Sequence, residues 1–480
     1  MKDRSRKVEI VEWVATFLGV VAAALILAQQ SGEQPAAAGL AISDVRELEQ
    51  GAKLLDAQRS LPEEVRSAIG LHEEEDEERT VVLNDLRARI RGGGAKPELY
   101  IVAAAIAAAE DDRDLTLEAL DQLSEHPEVL EQFSASVSSL AALARGEPAP
   151  HPAVLRTELR GLRASEWLQL RVASRAHERS GRSEDADATR RVAQSNAVAF
   201  VERYSILLSV YVTLLGLGVL LVLFWPVIRK HLAKNSLIGL GALPSPFIIS
   251  STQRVLVSWF FACLILGSIL TALSSLFPGS GDYRALALFT QSLAQGAVAL
   301  WLIVRLGRPD DDQVPISIPL RLAYGHSVRG IGGLALWTVA GLAIGAIAVA
   351  SAFALSLMFG AELPESQAAL ELFADLSNVG SQVAVAIAVT VFAPLFEEIL
   401  FRGFLYRNLR DMIQPVPAML VTGVLFGIVH LDPAFMFQLS ALGAVLCFAY
   451  ERSGSLLVPI AIHAVWNGAQ LVSMLIVAEG

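Results

Sequence analysis

The chain has 480 residues, of which 53% are hydrophobic and 18% charged, and its net charge is −11. A mean hydropathy of +0.49 excludes a wholly water-soluble globular protein. The two cysteines, Cys263 and Cys447, both lie in apolar runs and exclude a disulfide-built scaffold.

The first apolar run, Ile10 to Ala28, follows Lys2, Arg4, Arg6 and Lys7. Its length reads as a retained anchor, residues 1–30, with a cytoplasmic N-terminus. Residues 31–200 contain 31 Asp and Glu against 20 Lys and Arg, so they hold the whole net charge. That acidity gives no reason to expect a nucleic-acid partner. Helical spacing runs through Val45–Ala57, Glu98–Glu110, Leu115–Leu123, Pro127–Ala144 and Val154–Glu178. Pro62, Pro97, Pro127 and the Pro148–Pro152 stretch mark boundaries. The run Glu73 to Glu78 reads as a solvated helix face or loop, and Asp111 to Asp114 is too irregular for a calcium loop. The segment is expected to be an extracytoplasmic helical domain that binds a protein partner or substrate, or acts as a spacer.

Eight further apolar runs follow: Ser205–Ile228, Val255–Phe277, Ala285–Val304, Ile331–Phe359, Val379–Phe396, Pro417–Leu431, Pro433–Tyr450 and Leu456–Val477. With the first they make nine spans, or eight if Pro433 only breaks a hairpin. Basic residues follow the second, fourth and sixth spans: Arg229, Arg305, and Arg402 with Arg407 and Arg410. The positive-inside rule places these ends in the cytoplasm and residues 31–200 outside. Gly341-x-x-x-Gly345 predicts close helix packing. The expected fold is all-α: a polytopic transmembrane helix bundle in contact with lipid, with an inserted helical soluble domain. Residues 201–375 supply spans two to five, and 376–480 form the core that carries the polar clusters.

Three such clusters stand in the last apolar runs: Glu397-Glu398 with Arg402, Phe426 with His430, and His463 with Asn467. Charges and imidazoles are costly beside hydrocarbon. Each cluster alone has a plain structural reading, as an interfacial pair, a polar helix exit or an interhelical hydrogen bond. Glu398 and Arg402, four apart, share a helix face and pair. Glu397 points about 100° away and is left free. Together the clusters hold a carboxylate to activate water, two imidazoles and an amide donor, the groups amide hydrolysis needs. Ser440 is a lone serine that its own helix backbone can satisfy. Glu397, His430 and His463 can bind one zinc ion or only water, and spacing across three helices leaves both open. A non-catalytic scaffold or immunity factor, and a transporter, are the competing classes.

The three motifs in this order, from about Gln382 to Gly468, resemble the CPBP intramembrane protease family. That family joins type II CAAX prenyl proteases and bacteriocin-processing, Abi-like members. The resemblance implies an intramembrane endopeptidase acting on a membrane-associated protein or peptide, and placement in a bacterial inner membrane. It implies that Glu397 activates water with His430 as partner and that His463 and Asn467 support the oxyanion. Glu398, Arg402 and Phe426 match the supporting positions. The family is often classed as metallopeptidase-like, so zinc stays an open cofactor.

Overall fold

The structure is a computed structural model. It describes residues 42–60, 75–92, 96–162, 164–224, 227, 251–275, 281–306, 330–358, 376, 378–432 and 435–478. The expected first span, Ile10 to Ala28, lies outside the described residues. The described elements are all helical, and the chain divides into two compact units, residues 32–208 and residues 209–474.

In the first unit the helices are α1 (Ile42–Ser60), α2 (Glu75–Gly92), α3 (Pro97–Ala109), α4 (Arg113–Asp121), α5 (Pro127–Gln132), α6 (Ser134–Arg145), α7 (Pro152–Gly161) and α8 (Glu166–Arg179). Pro97, Pro127 and Pro152 each open a helix, where the missing N–H costs nothing. α3 has no polar face, and every residue from Leu99 to Ala109 is buried at the centre of the unit. Two expected helices are each split. Pro127–Ala144 breaks at Phe133, and Val154–Glu178 breaks before Ser165, whose hydroxyl caps α8 by accepting from the Leu168 N–H. The described part of the acidic run, Glu75 to Glu78, lies in the first turn of α2.

This core holds a polar cluster. Trp167 Nε1 donates to Asp56 at 2.9 Å, and Arg171 lies 3.6 Å from the same carboxylate. Lys53 is buried, with its ammonium 4.8 Å from the centre of the Phe200 ring. Burial pushes its amine down from 10.5 to about 8, with Arg203 adding to the effect and Glu49 and Glu166 opposing it.

α9 (Ser183–Leu223) runs from residues of one unit into residues of the other. The second unit continues with α10 (Ser251–Ser275), α11 (Gly281–Leu306), α12 (Gly330–Met358), α13 (Val379–Ile413), α14 (Pro415–Ile428), α15 (Met436–Ser453) and α16 (Leu457–Ala478). Among the described residues six helices are long and apolar enough to cross a membrane: α9, α10, α11, α12, α13 and α16. The chain is an all-helical, multi-spanning membrane protein.

Two expectations need correction here. The sixth span does not end at Phe396. The helix continues to Ile413, so Glu397, Glu398 and Arg402 lie within it and not at its exit. Expected spans seven and eight form a packed pair, α14 with α15. At 14 residues α14 is about 21 Å long, short of a hydrocarbon core of about 30 Å. The pair packs backbone to backbone: a Cβ on Gly423 would lie 2.6 Å from Ser440 O and 2.8 Å from Ala444 N. Gly341 sits under Ile462, and Gly345 faces Trp466 and Leu442, so the small-residue motif packs α12 against α16 and α15.

Lys53 gives a test of the first unit. With a folded pKa below the unfolded one, the unfolded chain binds the extra proton between about pH 8 and 10.5, and stability rises with pH across that window. Lys53→Met is expected to stabilise the protein by about 2 kcal/mol at pH 7. The gain fades as pH passes 8 and is gone above 10.5, which urea unfolding in detergent at several pH values measures.

Candidate active site

The site begins with a proline. Pro394 has no N–H, and its ring would crowd the Thr390 carbonyl in a regular helix. The helix answers with a wide π turn over Ala388–Phe392, in which the Ala393 N–H reaches back to Ala388 O. Val389 O then loses its usual donor, Ala393, and cannot use Pro394. Asn467 Nδ2, from α16, donates to that carbonyl at 2.9 Å. A second π segment, Ile399–Tyr406, follows Glu398 directly. Both carboxylates thus lie on the short α segment Ala393–Glu398 between two wide turns.

Glu398 and Arg402 are both fully buried and joined at 2.8 Å. The expected pairing is present, but it is an interior one, not an interfacial one. Arg402 Nη2 also donates to Gly443 O of α15 at 2.9 Å, and its guanidinium lies over the Phe426 ring of α14 at 4.6 Å. Glu398 also accepts from His463 Nδ1 of α16 at 2.9 Å. His463 was expected beside Glu397; the structure joins it to Glu398, because α16 packs on the face that Glu398 shares with Arg402.

Phe426 is fully buried between the two imidazoles. Its ring centre is 4.9 Å from that of His430 and 5.7 Å from that of His463, and Phe401 meets it edge-on at 5.2 Å. His430 lies in the turn that ends α14. Its Nδ1 is 2.6 Å from Phe426 O. A carbonyl only accepts, so Nδ1 carries a proton, and in the neutral tautomer of the ring Nε2 holds the lone pair.

Glu397 differs from its neighbour. Each glutamate has a buried Oε2 without a hydrogen-bond partner among the described residues, but Glu398 is held through Oε1 by Arg402 and His463, and Glu397 has no such bonds. It lines a cavity of about 690 Å³ together with His430, Cys263, Phe396 and residues of α10 and α11. The Phe396 ring rests directly on Gly296 of α11, which leaves this wall its shape. The shared depth of Glu397 and His430 follows from chain length. Glu397 lies 17 residues before Gln414, where the chain turns with φ 78°, and His430 lies 16 residues after it. Two packed helices of equal run return to equal height, about 24 Å from the turn.

The four expected reacting residues therefore divide. Glu397 and His430 line the cavity. His463 and Asn467 do not line it; they tie α16 to α13 from behind. Zinc does not find its expected ligands. Among the described residues no three His, Cys, Asp or Glu side chains are grouped to hold an ion. Ser440 donates to Met436 O of its own helix, as expected of a lone serine. Gln291 and Gln295, which also line the cavity, went unremarked in the sequence because glutamine on an apolar helix carries no spacing signal of its own.

The second unit is thus a bundle of long apolar helices with a carboxylate and an imidazole on one cavity. Residues 379–469 match the family described as Rce1-like, type II CAAX prenyl endopeptidase Rce1-like. The chain is also similar to the putative membrane peptidase YdiL of Bacillus subtilis (strain 168), with 28% identity over 154 residues. That alignment covers 32% of this chain and 61% of the relative, so the chain spans about three fifths of the curated protein it matches. No solved structure matches.

The ion pair gives a stability test. Arg402→Met leaves Glu398 buried beside His463 alone and is expected to cost about 3–5 kcal/mol. Adding Glu398→Gln should recover part of that loss. Thermal unfolding of the two variants in detergent reads the difference.

Proposed function

We propose that the chain is an intramembrane endopeptidase of the CAAX-protease type, in which Glu397 activates the attacking water. The observation that carries this reading is the partnerless Glu397 oxygen on a cavity that His430 also lines. A water between them is polarised from both sides. Glu397 takes its proton as the hydroxide adds to the scissile carbonyl, giving a tetrahedral intermediate with an oxyanion. The proton then passes to the leaving nitrogen, the C–N bond breaks, and a carboxylate and an amine leave. His430, with its proton fixed on Nδ1 by Phe426 O, offers Nε2 to hold the water or relay that proton. His463 and Asn467 act as positioning residues, the first through Glu398 and the second through Val389 O. No step is assigned to a metal, because the donors are not grouped around one position.

The substrate class is a membrane-associated protein or peptide, as the resemblance implies. The location we propose is a bacterial inner membrane, with the Arg407 and Arg410 end of α13 on the cytoplasmic side and residues 31–200 outside. Residues 31–200 are then placed to bind the client or a protein partner.

Glu397→Gln and His430→Ala are each expected to reduce cleavage at least about a hundredfold while leaving the melting temperature in detergent unchanged. Mass spectrometry of products from candidate membrane proteins co-reconstituted with each variant measures this. Full cleavage by both variants, or none by the wild type, would refute the assignment and favour a scaffold.

A further inference from the structure

The cavity beside Glu397 has a second wall, made by α10 and α11, that the chemistry above leaves unused. Most of this wall is apolar or small, as at Phe260, Leu264, Gly267 and Ala272. Two serines on it are satisfied within their own helices: Ser268 donates to Leu264 O at 2.8 Å and Ser292 to Leu288 O at 3.0 Å. Gln291 and Gln295 are different. Both line the cavity, and neither carboxamide has a hydrogen-bond partner among the described residues. Both residues are half-buried, so their amides are open to the cavity and not sealed in the interior. The fold makes room for one of them. A Cβ on Gly267 would lie 3.3 Å from Gln291 Nε2, so the missing side chain seats that amide.

The spacing of the two amides points to what they bind. Four residues apart on α11, they are separated by about 6 Å along the helix axis. In an extended polypeptide, groups on the same side repeat every two residues, about 6.6 Å. A carboxamide both donates and accepts, so it can pair with a peptide group whatever the side chain beside it. A helical segment offers nothing to such a ladder, because its own backbone groups are already paired.

We propose that Gln291 and Gln295 form a peptide-backbone-binding wall, along which an unwound, extended segment of the substrate lies with its scissile carbonyl turned to Glu397. The inference rests on the endopeptidase reading for the direction of the chain, and on the cavity alone for the binding. It makes the two glutamines positioning residues that read main chain and tolerate varied sequence. The preferred clients are then segments whose helix is easily opened near the cleaved bond.

The test uses the full-length protein in detergent and a pool of quenched-fluorescent decapeptides. Gln291→Leu with Gln295→Leu is expected to raise KM roughly tenfold with kcat changed less than threefold, the signature of lost binding shared by ground and transition states. In a Glu397→Gln background, fluorescence anisotropy should show peptide affinity falling by the same factor. The melting temperature should hold or rise, since the amides have no partner among the described residues to lose. Gln291→Met with Gln295→Met, closer in shape, decides the matter where the leucine variant does not insert. Unchanged KM and affinity, a marked drop in melting temperature, or no binding of the pool by the Glu397→Gln protein overturns the wall. Glu397-dependent cleavage with unchanged KM refutes the wall and keeps the peptidase. Binding lost on removing the glutamines, without cleavage by the wild type, keeps the wall and refutes the peptidase.

Discussion

The second unit depends on one buried ion pair. Glu398 and Arg402 sit where no water reaches, and taking two charges out of water costs several kcal/mol each. The pair persists because each member is held from more than one side. Arg402 bonds Glu398 and Gly443 O and stacks on Phe426; Glu398 bonds Arg402 and His463. These contacts reach α13, α14, α15 and α16. The pair therefore joins all four helices at one point, with Glu398 Oε1 taking both of its bonds. Glu397, one residue earlier, is excluded from this network and faces the cavity as a consequence.

Phe426 transmits that constraint to the second cavity residue. Its ring is pinned by the guanidinium on one side and by Phe401 edge-on, and its carbonyl fixes the tautomer of His430. A single aromatic residue thus connects the charge pair to the imidazole on the open side. The close backbone contact at Gly423 and Gly443 is what lets α15 present the Gly443 carbonyl to Arg402. Larger residues there would hold α15 away and leave part of the guanidinium unbonded.

Much of this was legible from spacing. Glu398 and Arg402 four apart announce a pair on any helix, but the order of the three clusters does not tell which of their residues share the cavity. Other features were hidden for physical reasons. By sequence span six ends at Phe396, because charge normally marks water, and here charge is paired in the interior instead. The contact of Asn467 with Val389 O is invisible to a regular periodicity, since the carbonyl is freed only by the wide turn that Pro394 forces. The level of His430 depends on where α14 stops, at 14 residues, which an apolar run alone does not show. In the first unit, the breaks at Phe133 and before Ser165 fall inside unbroken apolar patterns, where only the tertiary core decides that the chain must turn.

The wide turn before Glu397 has one more consequence, for how this helix is compared with others. A π turn holds one residue more than the α turn it replaces, so numbering runs ahead of helical phase after Phe392. A related helix that lacks the turn aligns with this one only through a gap in the middle of a membrane segment, where alignments are usually penalised for opening one. The direction in which Glu397 points is therefore encoded partly in a count of residues and not only in their identities. Deleting one residue from Ala388–Phe392 would turn the upstream helix about 100° against the carboxylates without changing a single side chain in the site.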